Sequence, residues 1–185
     1  MPDRRKTPDL QKVPGPQKTP ELQKTIVDRW KMPPLAKIYE ALGAIGDGRV
    51  RLDDPTHASV VSSSGDKTYT VELDPATRQI ASNDNASYWQ GYLGYPAIAV
   101  LLLHGLYAPR PETLKALAGV PWKELNTRYR NDYARTLDEV LARAEARGAG
   151  PAAIRAEAAA LLEALQAYGA RRGRRLRPPS PSRPT

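Results

Sequence analysis

The stretch Thr68-Tyr69-Thr70-Val71-Glu72-Leu73-Asp74-Pro75-Ala76-Thr77-Arg78-Gln79-Ile80-Ala81 decides the fold class. Its first six residues are rich in β-branched and aromatic types and alternate in polarity, the pattern of a strand with one buried face. Asp74-Pro75-Ala76-Thr77 supplies a turn, and Arg78-Gln79-Ile80-Ala81 reads as the returning strand. Upstream, Ala58-Ser59-Val60-Val61-Ser62 runs into a Ser63-Ser64-Gly65-Asp66 turn, and Val50 and Leu52 alternate with Arg49 and Arg51. An antiparallel meander is the simple reading. Further back, Leu35, Ile38, Tyr39 and Leu42 fall at helical spacing after Pro33-Pro34, and Gly43 to Gly48 supplies the stop. Ile26, Val27 and Trp30 mark a short apolar segment before them.

Downstream, residues 82–95 are polar and aromatic, with Tyr88, Trp89, Tyr92 and Tyr95 set among Asn83, Asn85 and Gln90. From Pro96 the chain is apolar all round as far as His104-Gly105, the mark of a buried helix. Pro96 suits its first turn, where a missing N–H costs nothing. A short helix is expected around Pro111 to Leu117. Trp122, Leu125, Tyr129, Tyr133, Leu137, Leu141 and Ala144 then form one stripe of a longer helix. Gly148-Ala149-Gly150 ends it, and Pro151 opens a last, alanine-rich helix with Ile154, Ala158, Leu161, Leu165 and Tyr168 on its face. So tight a joint predicts an antiparallel helical hairpin. The class is α+β: a small antiparallel meander backed by helices. The expected divisions are a leader over 1–24, an α+β core over 25–110, a helical extension over 111–170 and a tail over 171–185.

The formal net charge is +8. Its distribution matters more than its size. The tail holds Arg171, Arg172, Arg174, Arg175, Arg177 and Arg183 and no acid, and the leader holds six Lys/Arg against Asp3, Asp9 and Glu21. Residues 25–170 are close to neutral. Attraction to a polyanion is therefore expected of the tails, and the arginine- and proline-rich tail is expected to be disordered. Six arginines on phosphates would give a log–log salt slope of roughly −4 to −5. The leader repeats itself: Lys6-Thr7-Pro8-Asp9-Leu10-Gln11-Lys12 returns as Lys18-Thr19-Pro20-Glu21-Leu22-Gln23-Lys24. It reads as disordered, or as a duplicated docking peptide anchored on Leu10 and Leu22.

With no cysteine there is no disulfide, thiolate metal site or cysteine nucleophile. No secretory signal is visible, and the longest apolar run is too short to span a bilayer, so a cytoplasmic address with no membrane partner is expected. Catalytic signals are thin. His57 and His104 stand far apart, His57 after Asp53-Asp54-Pro55 and His104 at the end of the buried helix, where capping or packing suits it. Ser62-Ser63-Ser64 lacks any nucleophile-elbow setting, and no phosphate-loop, dinucleotide or zinc-protease pattern appears. No catalytic residue and no cofactor are expected.

The order helix, meander, polar loop, buried helix carries a likeness. Ser63 to Val71 resembles the first hairpin of a SWIM zinc finger, a ββα module whose members read Y-x-V, C-x-C, a spacer, then C-x-H opening an apolar helix. Ile80 to Asp84 stands at the C-x-C strand end, and Tyr95-Pro96-Ala97-Ile98-Ala99-Val100-Leu101-Leu102 resembles the helix start. The resemblance places Ala81, Asn83, Tyr95 and Ala97 at the four ligand positions, where none can hold zinc. It implies a metal-free ββα finger-like core and a role in binding DNA or protein. The expectation is then a non-catalytic binding module. DNA, or another nucleic acid, would be met by Arg171, Arg172, Arg174, Arg175 and Arg177, and by bases stacking on Tyr88, Trp89 and Tyr92. The alternative is a protein–protein adaptor or self-assembling structural protein using the hairpin, the aromatic loop or the duplicated peptide.

Overall fold

The computed structural model describes residues 28–179, so the leader with its repeat, Ile26, Val27 and Arg183 lie outside the described residues. The fold is α+β. Helix α1 (Ala36–Gly46) precedes strands β1 (Val50–Leu52), β2 (His57–Val61), β3 (Thr68–Asp74) and β4 (Gln79–Ser82). A single π-helical turn (Ala86–Gln90) leads to α2 (Tyr95–Leu103), then α3 (Pro111–Leu117), α4 (Trp122–Arg128), α5 (Tyr133–Ala146) and α6 (Pro151–Tyr168). A short strand β5 (Arg171–Arg172) follows. The sheet order is β1-β2-β3-β4-β5, antiparallel except for the last pair.

Strand alternation sets the core. Val60, Val71, Leu73 and Ile80 are buried on the face that α2 covers, with Ala97, Ile98, Val100 and Leu101 opposite them. Helix α1 is enclosed by the other helices, and every residue from Ala36 to Ala44 is buried, Lys37 and Glu40 included. That pair survives burial by joining Lys37 Nζ to Glu40 Oε1 at 2.7 Å. Burial alone would lower the Lys37 pKa. The charge and hydrogen bond of Glu40, with Tyr133 and Tyr92 nearby, more than offset it and leave the value raised.

One expectation about the helices is corrected and two are refined. The stop falls within Gly43 to Gly48 as expected: α1 ends at Gly46, and Gly48 takes a φ of 65°. Gly43 serves close approach: a Cβ there would lie 2.7 Å from Trp122 Nε1 and 3.0 Å from the Leu117 carbonyl oxygen. The stripe from Trp122 to Ala144 is not one helix. Arg130 and Asn131 adopt φ of 52° and 63°, breaking it, and the Asp132 side chain restarts it by accepting the Arg135 N–H. Tyr133 and Leu137 are consequently only half-buried, while Thr136 and Val140 are buried. Of the two roles expected of His104, capping holds and packing does not: it stands at the C-cap of α2 and is exposed, as is Leu103 at 42%.

Helices α5 and α6 are joined by residues 147–150 and contact each other, as the hairpin reading requires. Buried Glu157 on α6 fixes the start of α3. It accepts the Arg110 backbone N–H at 2.7 Å, Arg110 Nε at 3.0 Å and the Thr113 hydroxyl. Glu157→Ala strands that buried hydroxyl and the N–H, and we expect a loss of about 2–3 kcal/mol in urea unfolding. Glu157→Gln, which keeps an acceptor, should recover part of it. Among the described residues no helix is long and apolar enough to cross a membrane.

Candidate nucleic-acid interface

The edge of β4 would be an open row of backbone groups if the sheet ended there. Residues after α6 close it. Arg171 and Arg172 pair in parallel with Gln79 and Ile80, the Arg171 N–H donating to the Arg78 carbonyl at 2.9 Å and the Gly173 N–H to Ile80 at 2.9 Å. The segment from Asp28 to Lys31 locks on from the other side. The Arg172 N–H donates to the Asp28 carbonyl at 2.6 Å, Trp30 N–H to Ala170 at 3.2 Å and Lys31 N–H to Gly91 at 3.1 Å. The tail is thus not a free arm from residue 171. Unsatisfied strand-edge groups, which the arginine-rich composition does not reveal, hold its first residues in the sheet.

That docking sorts the arginines. Arg174 pairs through both Nε and Nη2 with Glu72, which holds the Glu72 carboxyl below its ordinary value. Arg171 faces Asp28 at 3.7 Å. Arg172, Arg175 and Arg177 have no acidic partner among the described residues. Arg172 lies over the Trp30 ring at 5.2 Å and donates to the Gly91 carbonyl at 3.2 Å. Arg175 lies over Tyr88 at 4.1 Å. Arg177 is exposed.

The aromatic partners are set by one buried carboxylate. Asp84 Oδ2 accepts the Ser82 and Ser87 hydroxyls at 2.7 and 2.6 Å, and Oδ1 accepts the Ala86 and Ser87 N–H groups at 2.9 and 3.1 Å. The Ser87 hydroxyl in turn accepts the Gly94 N–H at 3.1 Å. The π-helical turn that follows ends at Gly91, whose φ of 74° is the left-handed region. The fixed turn projects Trp89 into solvent at 68% exposure, edge-on to Tyr88 with ring centroids 4.6 Å apart. Sequence reading passed over Asp84 as one polar residue among several. Its signal was Asp followed by Ser at the third position, a side chain able to accept the N–H groups that open a turn.

Trp30, Lys31, Tyr88, Trp89, Arg172 and Arg175 therefore line one groove of about 440 Å³. Sequence reasoning placed the tail and the loop as separate surfaces. Docking of β5 brings them together and adds Trp30 and Lys31.

Tyr92 does not join the groove. Its phenol turns to Tyr133 and Lys37, and burial first, then Tyr133, pushes its pKa up to about 12. Tyr95 stands elsewhere again, edge-on to Tyr69 at 6.1 Å and under Arg49 at 5.9 Å. The four positions aligned with zinc ligands do not converge, because the sheet lies between them. Ile80 and Ser82 are turned to the helices, so Ala81 and Asn83 take the other face. There Ala81 is covered by Gly173, and Asn83 Oδ1 accepts the Thr70 N–H at 2.8 Å. Ala97 is in the core on the helical side.

Among the described residues no cluster of three acidic or imidazole side chains could hold a metal ion. His57 contacts Asp54 at 3.0 Å, but that carboxylate also accepts the Thr56 N–H and hydroxyl and the His57 N–H, all at the surface. Those bonds, Thr56 foremost, hold the Asp54 carboxyl well below its ordinary value and describe a stapled turn.

No curated protein and no solved structure matches the chain. Residues 30–171, which span more than half of the chain from Trp30 to the first residue of β5, match the family described as uncharacterised conserved protein UCP014422, and the chain belongs to that family.

Proposed function

We propose that this protein is a non-catalytic binder of single-stranded nucleic acid, with the groove between the π-helical turn and β5 as its site. The observation that carries the reading is Arg175 lying on Tyr88 beside an exposed Trp89. Bases stack on exposed rings at about 1–3 kcal/mol each, and every base has such a face, so stacking needs no particular sequence. A duplex keeps its bases stacked on one another, so the exposed indole favours single strands or loops. Lys31, Arg172, Arg175 and Arg177 supply charge for the phosphates, and Arg171 and Arg174 are occupied by Asp28 and Glu72.

Fluorescence anisotropy of labelled single- and double-stranded oligonucleotides over a salt series tests this. With about four cations free among the described residues, their share of the slope of log K against log salt for single strands is expected near roughly −3, shallower than six arginines would give. Trp89→Ala, at an exposed position, should weaken single-strand binding by about 5- to 150-fold with little change in that slope. Binding that ignores Trp89 and Arg175 would reduce the site to a charged tail. No binding at low salt would abandon it for the protein-adaptor reading.

A further inference from the structure

A second cavity, of about 260 Å³, lies between α1, the β2–β3 hairpin and α4, and shares no lining residue with the groove. Every residue lining it falls within residues 30–171, whereas Arg172 and Arg175 of the groove lie past that stretch. A cavity of about 150 Å³ holds benzene, so this one has room for a bicyclic ring.

Its innermost polar groups are incompletely bonded. Glu40, only 4% exposed, takes both Lys37 Nζ and Asn126 Nδ2 on Oε1, at 2.7 and 3.0 Å, and its Oε2 receives no hydrogen bond among the described residues. Asn126 Oδ1 and Trp122 Nε1 are buried with no partner there, and the Trp122 residue is only 3% exposed. Buried acceptors without donors are costly, and a ligand that supplies N–H groups would satisfy Asn126 Oδ1 and Glu40 Oε2, whereas the Trp122 N–H is a donor packed against Gly43. Tyr69 and Tyr95 form an aromatic wall, and burial chiefly raises both phenols so that they stay protonated. The outer lining is mixed: Lys67 stands beside Asp66, which holds Lys123 at 2.5 Å, and Arg49 is paired with Asp47 at 2.9 Å.

We propose that this cavity binds a guanine nucleotide, base inward and phosphate outward. Glu40 Oε2 and Asn126 Oδ1 are both acceptors, and guanine offers two adjacent N–H donors on its pairing edge, N1–H and the N2 amino group. Adenine would turn its N1 acceptor toward a carboxylate. Unpaired acceptors disfavour such a ring, since they stay unsatisfied when it binds. The phosphate then meets Lys67 at the mouth.

The test is an NMR titration of the full chain, following the Trp122 indole N–H, with the Trp30 and Trp89 signals identified from their phenylalanine variants. Guanosine monophosphate is expected to shift the Trp122 signal saturably, with Kd about 1 mM or tighter. Adenosine monophosphate should bind about tenfold more weakly, guanosine severalfold more weakly, and inorganic phosphate should leave the signal still. Lys67→Ala should erase the difference between guanosine and its monophosphate, and Asn126→Leu should weaken both by about tenfold. A Trp122 signal that ignores guanosine monophosphate overturns the site. Equal response to the two bases overturns the guanine assignment, and equal binding of guanosine overturns the outward phosphate. Shifts confined to Trp30 and Trp89 would put the ligand in the groove, overturning this site while leaving the nucleic-acid reading intact.

Discussion

Gly94→Ala is expected to destabilise the protein by more than about 3 kcal/mol, a drop in Tm of roughly 10 °C. A Cβ there would stand 2.0 Å from Asp84 Oδ1 and 2.7 Å from Oδ2, far inside contact distance. The carboxylate has nowhere to go, because two hydroxyls and two backbone N–H groups hold it. Moving it strands those donors in a buried site, and each buried donor left unpaired costs about 1–3 kcal/mol. Strain and lost hydrogen bonds thus act together. Thermal and urea unfolding give the magnitude, and a variant that melts within about 2 °C of the wild type would show that the carboxylate can yield. A coupling test sharpens this. Asp84→Ala is itself costly, but in the double variant the added methyl meets no carboxylate, so the two changes should fall short of additive. Because the same cluster aims Trp89, Gly94→Ala should also weaken single-strand binding although Gly94 itself does not line the groove.

The second large effect is expected of Gly46→Ala. Alanine favours a helix over glycine by about 1 kcal/mol, so propensity alone predicts a gain. Packing reverses the sign. The added Cβ would lie 2.3 Å from the Leu114 carbonyl oxygen and 3.4 Å from the Ala118 Cβ, at the approach of α1 to α3. A backbone atom cannot swing aside as a side-chain tip can, so one helix must shift against a close-packed core. A net loss of about 2–3 kcal/mol is expected in urea unfolding. Gly105→Ala is the control: its Cβ would meet nothing within 4 Å, so only the cost of its φ of +89° applies. Should Gly46→Ala prove the milder of the two, the account of the α1–α3 contact would be wrong.

The strands were legible because alternation reports one buried face directly. Val71 and Leu73 alternate with Thr70, Glu72 and Asp74, and both are buried, as are Val60 and Ile80. The apolar run from Ala97 to Leu102 announced a buried helix for a similar reason: a segment without a polar side has no side to turn outward. Gly148 to Pro151 marked the hairpin joint through backbone preference alone. Where local signals conflict, composition misled. Within the Gly43 to Gly48 stop, Gly43 itself is still helical, and its neighbours need the space. Asn131 and Asp132 sat inside an apolar stripe that hid a break, although asparagine tolerates left-handed φ and aspartate starts helices.

The candidate site was half legible. Tyr88, Trp89 and the arginines were visible as residue types suited to bases and phosphates. Nothing local says that Arg172 returns to Trp30 or Arg175 to Tyr88, since these contacts span many residues and depend on the free edge of β4. Periodicity, turn chemistry and charge are properties of neighbours along the chain, and from them follow the α+β class, the meander and the absence of any thiol chemistry. Which arginines keep their charge free, which tyrosines leave the loop, and why Gly94 and Gly46 must be glycine depend on distances between segments far apart in sequence. Those distances exist only once the β4 edge has captured the tail and α1 has closed on α3.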